Sequence, residues 1–222
     1  EWKTTDKILH VLPLHHIHGI INALCCALYV GAEVHFLSKF EANKVWEWWQ
    51  KKDFTIFMAV PTVYSRLITE WENSPQDVQQ NMTAACKKMR LMISGSAALP
   101  VNILERWEVI SGHFLLERYG MSEIGMAISN PLHGKRKAGF IGLPLPNVDV
   151  RLVNEQNNIV NQGDIGEIQV KGDNVFLEYW NKKQATLESF TEDGWFKTGD
   201  TAIQDEEGYF KILGRTSIDI IK

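Results

Sequence analysis

Several things are scarce in this sequence, and each scarcity removes a class of function. There are only three cysteines. Cys25 and Cys26 are adjacent and Cys86 stands alone, so no CxxC redox or metal spacing exists. That usage argues for a reducing compartment rather than a disulfide scaffold. There is no excess of positive charge: the formal net charge is −4. Nucleic acid is therefore not expected as a partner, and anionic ligands must be met by locally placed basic groups. Long apolar runs are missing too. The stretch 19–32 is too short to span a bilayer and reads as a buried helix, so no membrane span is expected. No internal repeat or low-complexity tract occurs. No signal-peptide pattern opens the chain, but it begins with Glu1 rather than Met, so its native N-terminus is expected to be missing.

What remains is 222 residues, 45% hydrophobic and 23% charged, enough for one large domain or a domain plus part of another. Residues 8–12 predict a buried strand, followed by the loop PLHHIHG and an apolar helix from about Ile20 to Val30. Further strands are predicted over 32–37, 54–60, 89–93 and 113–117. Val45, Trp46 and Trp49 recur at helical spacing over 42–52, a stripe that reads as core packing. Pro61 opens a helix carrying Val63, Leu67 and Ile68. Residues 72–83 are polar and read as loop or short helix. A helix starting at Pro100 stops at Gly112. This alternation predicts an α/β fold, a layered core with largely parallel strands. After about residue 138 short alternating runs (148–153, 167–171, 209–213) and a hairpin turn at 205–208 predict an antiparallel barrel-like portion or sheet. The expected division is 1–138, 139–213 and a terminal piece, 214–222.

Four stretches carry chemistry. In LLERYGMSEIGM, residues 115–126, a buried strand runs into a loop. Loops at the carboxyl ends of strands are where α/β sheets bind ligands. Tyr119 offers a flat face to a base, Gly120 permits close backbone approach, Ser122 can donate to a phosphate oxygen, and Glu123 can hold Mg²⁺. The turn Ser94–Pro100 is built of small residues that leave room for a flat ring. It lacks the lysine and later glycines of a phosphate-gripping loop. In DGWFKTGD, Asp200 can accept two hydrogen bonds from a ribose diol. In Gly214-Arg215, the guanidinium presents a fork of donors to phosphate or sugar oxygen. Singly, each is also consistent with an ordinary turn or a solvated charge.

In this order, the small-residue turn, YGMSE, GEIQVKG, DGWFKTGD and GR resemble the sequential motifs of adenylate-forming enzymes over essentially the whole chain. The resemblance implies a nucleotide-facing set of Gly95, Ser96, Ala97, Tyr119, Gly120, Met121, Ser122, Asp200 and Arg215. Ser96 and Ala97 with Tyr119 would sandwich adenine, Ser122 touch the α-phosphate, Glu123 bind Mg²⁺, Asp200 hold the ribose and Arg215 contact the nucleotide. Ser122 and Glu123 are thus the implied catalytic residues. It further implies the chemistry of an AMP-forming acyl-CoA synthetase. A carboxylate attacks the α-phosphate of ATP, and coenzyme A then takes the acyl group. No Ser-His-Asp set is needed where positioning and charge neutralisation do the work.

The run ERYGMSEIGMAISNPL…AGFIGLPLPNVDVRLV is similar to malonyl-CoA synthetases. That similarity implies malonate as the acid and mitochondria as the compartment, with the cytosol as the alternative. Lys135, Arg136 and Lys137 form a basic row that reads either as a solvated charge run or as a counter-ion for a second carboxylate. Arg136 is the candidate and Lys137 the fallback. His16 and His18 of PLHHIHG stand where the family places its acyl-pocket histidines. Three histidines in four residues can bind metal, but no further ligand set accompanies them. Two family parts are absent: an upstream phosphate loop and a small C-terminal domain with its catalytic lysine. The chain stops within GRTSIDIIK, where Ser217 and Asp219 are both hinge candidates. A fragment with little activity of its own is therefore expected. The competing readings are a synthetase for another short- or medium-chain acid, and a nucleotide-binding module without catalysis.

Overall fold

The structure is a computed structural model and describes residues 2–215. The hinge candidates Ser217 and Asp219 lie outside the described residues. Two compact units are present. One comprises the residues up to Glu117 together with Leu132–Ala138, and the other comprises Arg118–Pro131 and the described residues from Gly139 onward.

In the first unit, β1 (Lys7–His10), β2 (Glu33–Phe36), β3 (Ile56–Ala59), β4 (Leu91–Ser94) and the start of β5 (Leu116–Met121) pair in the order β2-β1-β3-β4-β5, all parallel. Strands covered on both faces need apolar side chains at every position. IFMA in β3 and LMIS in β4 are buried throughout. Their residues alternate between two cores. Phe57, Ala59 and Met92 join the cluster of Trp46, Tyr64 and Trp107, whereas Ile56, Met58, Leu91 and Ile93 pack with Ala23 and Ala27.

The first cluster is built by α2 (Ala42–Lys51), α3 (Pro61–Glu72), α4 (Gln76–Lys87) and α5 (Val101–Ser111). Two of its buried polar tips find carbonyls: Trp46 Nε1 donates to Leu67 O at 3.1 Å and Tyr64 Oη to Ile93 O at 2.8 Å. Pro61 occupies the first turn of α3. Gly112 ends α5 in the left-handed conformation, φ 73°, with its N–H on Glu108 O at 2.7 Å.

Two expectations differ from the structure here. The polar stretch 72–83 is largely helix: α4 is 12 residues long and buries Met82, Ala85 and Cys86. Its apolar stripe is narrow enough for the polar majority to mask it. The 19–32 stretch is helical, first as a π-helical segment, His18–Cys25, then as α1 (Cys26–Val30), but it is not a buried helix. Only its Ala23/Ala27 side packs on the sheet, while Leu28 and Tyr29 are 61% and 92% exposed.

In the second unit β5 continues antiparallel to β6 (Gly125–Ser129), which pairs with β7 (Leu143–Pro144). A four-stranded antiparallel sheet follows in the order β11-β10-β9-β8, made of β8 (Val148–Val153), β9 (Gly166–Gly172), β10 (Phe196–Gln204) and β11 (Phe210–Arg215). Of the two forms expected for this portion, it takes the open sheet, with β8 and β11 at its edges. The DGWFKTGD motif enters β10, a nine-residue strand, and α6 (Lys183–Ser189) precedes it. A cluster of Ile124, Ile128, Ile168, Val170, Phe196 and Phe210 forms this unit's core.

Candidate functional site

The first unit supplies two loops at strand ends. After β4, Gly95 is buried and donates its N–H to Ala59 O at 3.3 Å, while Ser96 and Ala97 are exposed. Ser96 holds φ 67°, left-handed backbone that a residue with a Cβ rarely adopts. Its Oγ lies 3.0 Å from His18 Nδ1, and His18 is buried. Leu99 N–H, at the loop's far end, donates to Glu117 Oε1 at 2.9 Å. Glu117 is 4% exposed. Burial pushes its carboxyl up to about 7, against the partial opposing pull of the Leu99 N–H. The loop is therefore pinned by one histidine and one buried acid. His16, by contrast, is exposed, with its ring 4.9 Å from that of His15.

Arg136 belongs to the returning segment Leu132–Ala138. Its Nη1 donates to Phe114 O at 2.5 Å and its Nη2 to Leu132 O at 3.1 Å. Burial draws it below the usual arginine range, though the group stays cationic.

In the second unit three distant motifs converge on one carboxylate. Tyr119 Oη donates to Asp200 Oδ2 at 2.6 Å, and Arg215 Nε donates to Asp200 Oδ1 at 3.2 Å. The β10–β11 register sets Asp200 opposite Arg215. Thr198 fixes the approach: its Oγ1 donates to Ile168 O at 2.7 Å and accepts from Asp200 N–H at 3.1 Å. Tyr119 is 9% exposed. Burial first, and then the neighbouring Asp200, raise its phenol far above the ordinary range, so it remains a donor. The close approach that Gly120 permits is to protein: a Cβ there would sit 1.9 Å from Gly125 O across the hairpin.

Residues 122–124 form the turn joining β5 to β6, preceded by Met121 at the end of β5. Ser122 is exposed and Glu123 half-buried. A loop distant in sequence meets this turn. Asn174 Nδ2 donates to Ile124 O at 2.7 Å, Phe176 N–H to Glu123 O at 2.7 Å, and Tyr179 Oη to Glu123 Oε1 at 2.9 Å. Partial burial and then Glu123 raise the Tyr179 phenol. Neither Tyr179 nor Glu117 emerged from sequence reasoning. The aromatic run around Phe176 and Tyr179 was the available signal for the first; nothing marked the second.

Among the described residues, no group of three or more His, Cys, Asp or Glu side chains is disposed to hold a metal ion. A single half-buried carboxylate such as Glu123 still suits Mg²⁺, which commonly takes one or two carboxylates and completes its shell with water and substrate phosphates. No helix among the described residues is long and apolar enough to cross a membrane.

Comparison with known proteins adds a family. The AMP-binding enzyme model matches residues 1–180. The mitochondrial malonate–CoA ligase ACSF3 of Xenopus laevis is 51% identical over all of this chain, which covers 43% of that protein. ATP-bound MatB of Rhodopseudomonas palustris superposes with a TM-score of 0.87 at 40% identity, over 96% of this chain and 41% of its own. A malonyl-CoA ligase in a ternary product complex with methylmalonyl-CoA and AMP gives 0.88 at 38% identity, over all of this chain and 46% of its own. The chain thus spans less than half the length of these relatives. The match of that family model over most of the sequence, with a relative 51% identical over the whole chain, shows that the chain belongs to the family of AMP-binding enzymes.

Proposed function

We propose that the protein containing this chain is an AMP-forming malonate–CoA ligase. A malonate carboxylate oxygen attacks the α-phosphorus of ATP, the bond to the β-phosphate oxygen breaks, and pyrophosphate leaves. The thiol of coenzyme A then loses its proton and attacks the acyl carbon of malonyl-AMP, expelling AMP and giving malonyl-CoA. The observation that carries this reading is the convergence of Tyr119 and Arg215 on Asp200, in a chain 51% identical throughout to a malonate–CoA ligase.

Within that reading the residues take the following parts. Gly95, Ser96 and Ala97 are assigned to the nucleotide base in the first unit, and Tyr119, Gly120 and Met121 take the same assignment in the second. Asp200, its orientation held by Tyr119, receives the ribose hydroxyls, and Arg215 reaches the nucleotide. Ser122, exposed on its turn, donates to the α-phosphate, and Glu123 and the phosphates hold Mg²⁺. The cation's contribution is to neutralise phosphate charge. His16 and His18 line the acyl side, and Arg136 pairs with the second carboxylate of malonate. The mitochondrial Xenopus relative supports the same compartment here.

A ligase for another short-chain acid is the second reading. It draws on Arg136, two of whose donors already serve Phe114 O and Leu132 O. Steady-state turnover of a protein of the relatives' length carrying this chain, with malonate, methylmalonate, acetate and octanoate, separates the two. The proposal expects malonate to lead acetate by at least about tenfold in kcat/KM, since one bidentate ion pair is worth that much. It also expects Arg136→Ala to erase the lead. Equal turnover of acetate, or an Arg136→Ala variant with wild-type malonate kinetics, contradicts it.

A further inference from the structure

We infer that Tyr179 is a positioning residue for Glu123: its phenol fixes one carboxylate oxygen, and so sets the orientation in which Glu123 meets a divalent cation. The inference rests on the reading of Glu123 as a cation ligand and adds the part of the protein that aims it.

Three features support this. First, Glu123 sits on a tight turn, with Ile124 N–H on Met121 O at 3.1 Å, and a carboxylate on such a turn keeps rotamer freedom that metal binding must remove. The Tyr179 hydroxyl occupies Oε1 at 2.9 Å and leaves Oε2 for another partner. Second, the contact is one of three from the same loop. Asn174 and Phe176 hold the backbone carbonyls of Ile124 and Glu123, so the loop grips both the turn and the side chain it presents. Tyr179 is itself anchored, with its N–H on Thr186 Oγ1 at 3.0 Å in α6.

Third, the segment does not serve general apolar burial. Leu177 and Trp180 are 93% and 82% exposed. Val175 and Phe176 are the exceptions: both pack on the second unit's core, Phe176 against Phe190 and Phe196 with centroids 5.7 and 5.4 Å away. The side chains turned inward are therefore two apolar anchors, Val175 and Phe176, and two polar groups directed at residues 123–124. Metal ligands are commonly oriented by such outer partners, and their loss typically weakens affinity by about ten- to a hundredfold.

The test is direct binding, using Mn²⁺ as the probe with a β,γ-imido ATP analogue. It uses a protein of the relatives' length carrying this chain, and free Mn²⁺ is read by electron paramagnetic resonance. Tyr179→Phe removes only the hydroxyl. It should weaken Mn²⁺ binding roughly tenfold, the lower end of the usual loss of an orienting partner, while analogue affinity without metal and the melting temperature stay at wild-type values. Glu123→Gln should weaken Mn²⁺ at least as much, and the double variant should lose little more, as coupled residues do. Wild-type Mn²⁺ affinity in Tyr179→Phe alongside a weakened Glu123→Gln overturns the positioning role alone. Wild-type affinity in Glu123→Gln overturns the cation reading, and this inference with it. A Tyr179→Phe loss that persists in full on the Glu123→Gln background shows that Tyr179 does not act through Glu123, and overturns it too.

Discussion

The two units hold their candidate residues in different ways. In the parallel unit the residues sit on loops beyond the strand ends, and the central strands beneath are apolar almost throughout. Gly95–Leu99 follows β4 and PLHHIHG follows β1. Three contacts hold the first loop: Gly95 N–H with Ala59 O, Ser96 with His18, and Leu99 N–H with a buried acid, Glu117. In the antiparallel unit the residues lie within the strands themselves. Tyr119 is in β5, Asp200 in β10 and Arg215 in β11, so strand register does the positioning. The contrast teaches that candidate residues are presented by turn geometry in one unit and by ladder geometry in the other. The first arrangement is sensitive to buried charge, the second to any group that disturbs pairing.

The largest effect is expected where the ladder presents its carboxylate. Asp200→Ala leaves the Tyr119 hydroxyl and the Arg215 guanidinium without their shared acceptor. Hydrogen bonds to charged groups are worth about 1.5–3 kcal/mol each, so AMP affinity by calorimetry should fall by about a hundredfold. A fall of less than about threefold would detach Asp200 from the nucleotide. Next comes the hairpin itself. Gly120→Ala drives a Cβ to 1.9 Å from Gly125 O, a backbone atom that cannot swing aside as the end of a side chain could. The cost should be about 3 kcal/mol in urea denaturation, within the usual range of overpacking and strain. An unchanged midpoint would mean the hairpin is looser than its geometry.

The parallel unit is probed through Glu117. In the native state this acid keeps its proton up to about 7, whereas an ordinary glutamate ionises at 4.5. Between those values the unfolded chain releases a proton that the native chain retains. Stability contributed by the neutral acid is therefore whole below 4.5, declines as pH rises toward 7, and stays lost above it. Glu117→Gln removes the decline and still presents an oxygen to Leu99 N–H. Its advantage over wild type should grow across that window to about 3 kcal/mol, since each pH unit between the two values contributes about 1.4 kcal/mol. Parallel pH profiles for the two proteins would refute the buried-acid assignment. The smallest effect belongs to Tyr29, which is 92% exposed. Tyr29→Ser should change stability by no more than about 0.5 kcal/mol in the same denaturation assay, where a buried aromatic would cost several times as much.

These residues also show what the sequence disclosed. The buried strands IFMA and LMIS, the helix opened by Pro61 and the stop at Gly112 were legible, because each has a local cause: an unbroken apolar run, a fixed φ, a left-handed cap. The helix α4 was not, because burial of three residues in twelve leaves a polar composition. The exposed face of 19–32 was not, because apolar composition does not say which side has a neighbour. Motif order singled out Tyr119, Asp200 and Arg215. Their meeting depends on strand pairing across 81 and 15 residues, which no local pattern contains. Glu117 and Tyr179 escaped for the same reason: the contact that matters is long-range in sequence, with Leu99 N–H for the first and Glu123 Oε1 for the second.

The central proposal is that this chain is the nucleotide-handling part of a malonate-activating enzyme. Malonate-dependent ATP–pyrophosphate exchange by a protein of the relatives' length carrying this chain tests it most directly. The predicted result is exchange that requires malonate, is weak with acetate and is abolished by Asp200→Ala. Exchange that ignores malonate, or that survives Asp200→Ala at the wild-type rate, would contradict it.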